Sequence, residues 1–291
     1  MTVSSDPARL IAFQGAPGAY SDLACRQVHP EMTTLPSAGF EDAIAAVRER
    51  RAALAMLPIE NSVAGRVADI HHLMPDSGLH IIGEHFQRVN HHLLAPKGAT
   101  LAGLKAVRSH VHALSQCRKL IRELGLKAVV AADTAGAAAE VAERGDPTIA
   151  AIASELAGQI YGLVSLRENI EDADHNTTRF LIVAREPRPV PRDDGPVVTT
   201  FVFRVRNVPA ALYKALGGFA TNGINMTKLE SYMLGGRFTA TQFYADVEGH
   251  PDDRPLSLAL DELRFFSREV KILGVYPGHP FRREMGQADS D

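Results

Sequence analysis

A chain of 291 residues, 45% apolar and 22% charged, is long enough for two or three domains and has the composition of an ordinary globular protein with a full core. The formal net charge of -3, with no basic stripe interleaved with aromatics and no Trp, excludes nucleic acid as the expected partner. No basic leader opens the chain, no apolar segment approaches the roughly 20 residues of a membrane helix, and Cys25 and Cys117 match no metal or redox spacing, so the expectation is a cytoplasmic protein with reduced thiols and no membrane association.

From residue 9 to 185 short apolar runs alternate with helical patterns. "RLIAFQG" reads as a strand, "SDLACRQVH" and "FEDAIAAVRERR" as helices, and "AALAMLPIE" as a strand. "LKAVRSH", "KAVVAA" and "TIAAIAS" follow as strands, separated by helices over "ALSQCRKLIRELG" and "TAGAAAEVAERG" and followed by one around "ELAGQIYG". This alternation predicts α/β units whose sheets are covered by helices, long enough to form two lobes with a cleft for a small ligand. "REPRPVPRDDGP" concentrates proline and charge and reads as a linker over 186–196.

Beyond it, "VVTTFVFRVRN" alternates as a strand, "PAALYKALGGFATNG" is a helix with a glycine stop, and "INMTKLESYML" and "RFTATQFYADVEG" are strands joined across Gly235-Gly236. "SLALDELRFFS" and "VKILGVYP" complete a βαββαβ order over 197–278, the ferredoxin-like arrangement, with 279–291 as a tail.

Four stretches place small or polar residues where a strand gives way to a turn. In "FQGAPGAYSD", Gly15 and Gly18 permit close backbone approach, Ser21 or Asp22 can cap the next helix, and backbone N–H groups can hold an anion; a plain strand-turn-helix corner is an equal alternative. In "LPIENSVAGRV", Glu60, Asn61 and Ser62 can converge on a hydroxyl and a carboxylate, or serve as a helix cap and its neighbours. "VRSHVHALSQCRK" offers Ser109 as a second anion site and Gln116 one or two turns later, with a plain capped helix as a competing alternative. In "HNTTRFLIVA", Thr178 and Phe180 share one strand face while Arg179 points the other way, its planar fork suited to a carboxylate if local bending turns it to the cleft; a plain strand with Arg179 reaching water is the slightly favoured alternative. His71-His72 and His91-His92 complete no zinc spacing, so no metal is expected. These residues alone do not name a reaction.

Together and in this order the four stretches resemble the prephenate dehydratase family. "GAPGAYSD" is similar to its G-P-x-G-T-F-S start, "LPIENSVAGRV" to its P-I-E-N-S segment, "SHVHALSQC" to S-H-P-Q-A-L-x-Q-C and "HNTTRFLIV" to N-x-T-R-F. The C-terminal part resembles an ACT regulatory domain through "NVPAALYKAL" and "GINMTKLESYM". The resemblance spans residues 11 to about 278. It implies a periplasmic-binding-protein-like catalytic domain over 9–185 and an ACT domain over 197–278. The implied activity converts prephenate to phenylpyruvate on the route to phenylalanine, without metal or organic cofactor.

The resemblance also implies roles. Thr178 would be catalytic, assisting hydroxide departure, with Arg179 and Phe180 shaping the site, Glu60, Asn61 and Ser62 lining it, and Ser109 and Gln116 contributing from the other lobe. Ala211, Leu212, Asn225, Glu230 and Ser231 would form a site for L-phenylalanine between paired domains, which implies a homodimer or homotetramer. Val111 and His112 depart from the family's Pro and Gln, His175 from its first Asn, Ala210 from a Gly, and Tyr232-Met233 from Arg-Pro. An arogenate dehydratase and a non-catalytic amino-acid sensor are the alternative readings.

Overall fold

The computed structural model describes residues 6–191, 195–206, 208–233 and 240–283. The expected turn at Gly235-Gly236 lies outside them. In chain order the elements are β1 (Leu10–Gln14), α1 (Tyr20–Val28), β2 (Thr33–Ser37), α2 (Phe40–Arg48), β3 (Leu54–Asn61), β4 (Gly65–Arg66), α3 (Ala68–Leu73), β5 (His80–Arg88) and β6 (His92–Ala95). Then come β7 (Ala106–Ser109), α4 (Val111–Gln116), α5 (Arg118–Glu123), β8 (Lys127–Val130), α6 (Thr134–Arg144), β9 (Ile149–Ala153), α7 (Glu155–Tyr161), β10 (Val164–Arg167) and β11 (Thr177–Ala184). The C-terminal elements are β12 (Val197–Val205), α8 (Ala211–Thr221), β13 (Met226–Met233), β14 (Ala240–Glu248), α9 (Arg254–Phe266) and β15 (Ser267–Pro277).

Two compact units emerge, one of Met1–Ile70 with His85–Phe180, the other of His71–Glu84 with Leu181–Asp291. The first unit holds two lobes. In one, β1 lies between β2 and β3, parallel to both, as crossover connections through α1 and α2 require. In the other the strand order is β10-β6-β9-β7-β8, with β7 parallel to β8 and β9 and β6 antiparallel to β9 and β10. Leu93, Val107, Leu114 and Ile152 form one buried cluster of this lobe, and Leu94, Val141 and a set of alanines another.

The lobes meet closely at Gly18, whose φ of +89° and position 2.7 Å (for a built Cβ) from the Ala157 Cα leave no room for a side chain. Ser154 Oγ donates to the Gly18 carbonyl at 2.6 Å and Tyr161 Oη to that of Pro17 at 2.9 Å. Gly18 N–H donates to buried Asp22 at 2.8 Å, so this turn's anion is the protein's own carboxylate.

The second unit contains β12-α8-β13-β14-α9-β15 in the sheet order β13-β14-β12-β15, all neighbours antiparallel: the ferredoxin-like arrangement. Helices α8 and α9 cover one face over Phe201, Phe203, Phe219, Phe243, Leu260 and Leu263. The other face carries Thr200, Asp246 and Tyr276, and His71 and His72 set their rings edge-on to Tyr244 and Tyr232. Residues 279–283, which the sequence reads as part of a tail, are docked: His279 N–H donates to buried Glu84 at 2.9 Å, and Arg282 grips the same carboxylate at 2.6 and 2.9 Å.

Two expectations need correction. The helix expected over "ALSQCRKLIRELG" is broken at Cys117 into α4 and α5, because Asp172 caps the second piece. Strands β2, β5, β6 and β10 have no counterpart in the sequence reading; β6 is four buried residues, too short to show alternation, and β2 contains a proline on a sheet edge.

Within the second unit β15 pairs parallel with β5 through Gly274 and Ile81, and a Cβ at Gly274 would stand 2.2 Å from the Ile81 carbonyl oxygen. Gly274→Ala therefore lowers stability by about 1–3 kcal/mol, the usual cost of forced overpacking, as read from the midpoint of a urea titration.

Candidate active site

Asn61 closes β3, and Thr178 is the second residue of β11, the neighbouring strand. The side-chain amide of Asn61 uses its full bonding capacity. Its Oδ1 accepts from the backbone N–H groups of Val63 (3.0 Å) and Ala64 (2.7 Å). Its Nδ2 donates to Asn176 Oδ1 (2.8 Å) and to Thr178 Oγ1 (2.9 Å). Two backbone N–H groups demand an acceptor, so they fix which end of Asn61 is oxygen. Thr178 Oγ1 is consequently an acceptor from Asn61, and its own proton stays available for a further acceptor.

The chain of bonds continues outward. Asn176, 1% exposed, donates from Nδ2 to Gln116 Oε1 at 2.9 Å, and its carbonyl accepts from Val89 N–H at 2.8 Å. Gln116 ends α4, and its carbonyl accepts the N–H of Asp172 at 2.5 Å. Gln116 Oε1 also meets His91 Nε2 at 3.0 Å. A cavity of about 180 Å³ opens beside this array, lined by Val63, Ala64, His112, Ser115, Gln116, Glu171, Asp172, Ala173 and Asn176.

The remaining expected residues distribute differently. Glu60 faces away from Asn61, as strand alternation requires, and its Oε1 takes Arg179 Nη1 at 2.9 Å. Arg179 is 3% exposed with its guanidinium 5.9 Å above the Phe86 ring, so the fork the sequence offers to a substrate carboxylate is engaged by Glu60. Ser62 ties the two strands: its N–H donates to the Thr177 carbonyl (2.9 Å), its Oγ to that of His175 (2.7 Å), and it accepts from Thr177 N–H (2.9 Å). Phe180 is a buried core ring. Ser109 is fully buried and donates to the Ile152 carbonyl at 2.6 Å, within its own lobe and apart from the Asn61 array.

The sequence pattern does not single out Asn176, Tyr20 or His91. Asn176 lies inside "HNTTRF", and His91 pairs with His92 in no metal spacing; its place beside a buried strand is the usable signal. Among the described residues no group of three or more His, Cys, Asp or Glu gathers to hold a metal ion. Burial pushes the thiols of Cys25 and Cys117 well up, keeping both protonated.

In the second unit Ala211 and Leu212 open α8 against its core, and Asn225 Nδ2 donates to Glu248 at 3.1 Å. Glu230 lies 3.7 Å from Lys228 on β13, and Ser231 is exposed on the alternate face. Ala210, which precedes α8, has φ 57° and ψ 20°, a left-handed conformation that glycine adopts without cost.

A family model described as prephenate dehydratase matches residues 11–188. A relative from Komagataeibacter europaeus, "Bifunctional N-acyl-homoserine lactone acylase/prephenate dehydratase", is 59% identical over 276 residues, 95% of this chain and 98% of the relative. "Arogenate dehydratase/prephenate dehydratase 1, chloroplastic" of Arabidopsis thaliana is 41% identical over 92% of this chain and 71% of its own length. The solved structure of a prephenate dehydratase from Arthrobacter aurescens in complex with L-Phe superposes with a TM-score of 0.84 at 31% identity, covering 97% of this chain and 98% of that one.

Asp172 accepts the N–H groups of Arg118 (2.9 Å) and Lys119 (3.1 Å) and so starts α5 where α4 and Gln116 end. Asp172→Ala is expected to cost about 1–2 kcal/mol, the value of a lost helix cap, and Asp172→Asn about half of that, as read from chemical unfolding midpoints.

Proposed function

The chain belongs to the prephenate dehydratase family, and from that premise we propose that it converts prephenate to phenylpyruvate, with Thr178 as its catalytic residue. Family membership makes it a carbon–oxygen lyase; the substrate and the residue roles are our reading. The observation that carries the reading is the Asn61 array, which leaves the Thr178 hydroxyl as a donor at the edge of a polar cluster.

Prephenate carries two carboxylates and a ring hydroxyl. The ring carboxylate leaves as CO2, its bonding electrons enter the ring, and the hydroxyl across the ring departs with the C–O electrons and takes a proton to become water. Aromatisation drives the step, so no strong base is required. The protein must orient the substrate and stabilise charge growing on the departing oxygen. Thr178 is suited to this: its oxygen accepts from Asn61 while its proton is donated, and the two bonds reinforce each other. Asn176 and Gln116 line the adjoining cavity, and Gln116 holds the array from the opposite lobe. Glu60 acts through Arg179, whose buried guanidinium stiffens β11 behind Thr178.

Arogenate, with an amino group for the keto oxygen, undergoes the same elimination, and plant relatives are named for both substrates. We read the second unit as an ACT domain that binds L-phenylalanine near Ala211, Leu212, Asn225, Glu230 and Ser231 in a homodimer or homotetramer; the L-Phe complex of the Arthrobacter relative supports this. A second reading, amide hydrolysis of an N-acyl-homoserine lactone, is supported by the 59% identity to the bifunctional relative. Free homoserine lactone released by the purified protein would support it, and none released by protein active on prephenate would remove it.

Ultraviolet detection of phenylpyruvate tests the main reading. Thr178→Ala is expected to lose about 10²–10³-fold in kcat with its melting temperature preserved, Thr178→Ser to retain most of it, and phenylalanine to suppress the wild-type rate. A Thr178→Ala variant near wild-type kcat would overturn the assignment.

A further inference from the structure

Deepening the reading above, we propose that His91 is a positioning residue, the anchor of a hydrogen-bonded relay through Gln116, Asn176 and Asn61 that keeps the Thr178 proton directed to substrate. The logic is one of donors and acceptors. Val63 and Ala64 N–H groups fix Asn61 Oδ1, so Asn61 Nδ2 must be the donor to Asn176, whose Oδ1 therefore faces it. Asn176 Nδ2 then donates to Gln116 Oε1. An oxygen at that position needs donors on both sides, and the second is His91 Nε2 at 3.0 Å.

The relay thus requires a proton on His91 Nε2. Its Nδ1 lies 2.9 Å from Tyr20 Oη, which donates its one proton to the Asn90 carbonyl at 2.6 Å. The ring is 2% exposed, and burial lowers its pKa from the ordinary histidine value. The Gln116 hydrogen bond and Glu171 oppose that shift, Glu171 also accepting the His91 backbone N–H at 2.8 Å, while His92 reinforces it. Burial raises Tyr20 well above its usual value, with Glu171 and Cys117 adding to the effect, so its hydroxyl stays protonated. Were His91 protonated on Nδ1 alone, its Nε2 lone pair would face Gln116 Oε1, and relief would need Gln116, Asn176 and Asn61 to turn over in sequence, ending in two backbone N–H groups against an NH2.

The chain of contacts joins α1, the residue before β6, the end of α4, the residue before β11, and the end of β3. It therefore connects both lobes of the first unit to one hydroxyl. His91 bonds to Gln116 and is not among the residues lining the cavity, which is why its role is positional.

Two measurements test this. In full-length protein with ¹⁵N-labelled histidine, long-range ¹H–¹⁵N correlations should give His91 protonated at Nε2; a ring protonated on Nδ1 alone overturns the relay, whatever the activity. In kinetics with prephenate, His91→Leu, which has no donor, should lower kcat about tenfold with KM within about twofold, the scale of one hydrogen bond. His91→Gln, whose amide nitrogen reaches the Nε2 position, should recover to within about threefold of wild type. Leucine and glutamine variants equal to each other, in either direction, would contradict the relay. If His91→Leu fails to fold, the tautomer and the glutamine variant still decide. If wild type turns over neither prephenate nor arogenate, the proposed function fails while the tautomer measurement stands as the test of the relay.

Discussion

Two backbone N–H groups, those of Val63 and Ala64, hold the orientation of one amide, and the candidate site depends on it. A turn after β3 presents them to Asn61 Oδ1, which leaves Asn61 Nδ2 with two hydrogens and two oxygens to meet. Because backbone donors cannot be reversed, the direction of every later bond is inherited. Thr178 is made an acceptor on one side and so a donor on the other, a useful condition for the leaving-group donor we propose it to be.

Strand alternation divides the remaining chemistry. On adjacent strands β3 and β11, Asn61 and Thr178 meet on one side of the sheet while Glu60 and Arg179 meet on the other. The ion pair with its buried guanidinium braces the strands; the amide array performs the polar work. Ser62 adds three bonds to the segment just before Thr178, so the register of the two strand ends is closely held. An exposed threonine without these supports would sample several rotamers and lose most of its value as a directed donor.

Much of the architecture was legible in the sequence. The βαββαβ order over 197–278 could be read because its strands are long and alternate clearly, as in "VVTTFVFRVRN". Strand β6 could not, since four residues buried on both faces carry no period, and the break at Cys117 could not, since its cause is Asp172, 55 positions away in the chain. Thr178, Asn61 and Gln116 were recognisable by motif, and the structure joins them in one array. The pairing of Glu60 with Arg179 was not legible, because opposite faces of two strands become partners only once those strands are neighbours. His91 was hidden for a similar reason: a histidine beside a strand says nothing of its role until a glutamine at the end of a distant helix stands 3.0 Å from it.

The most direct measurement is the kcat of Asn61→Asp with prephenate, beside its melting temperature. Aspartate keeps an acceptor for the Val63 and Ala64 N–H groups and removes both donors, so it leaves the turn intact and takes away the bonds to Asn176 and Thr178. A fall in kcat of about 10²-fold in a protein that still folds is the result the account predicts. A variant that keeps wild-type kcat would contradict it, since the orientation of the Thr178 hydroxyl would then owe nothing to Asn61.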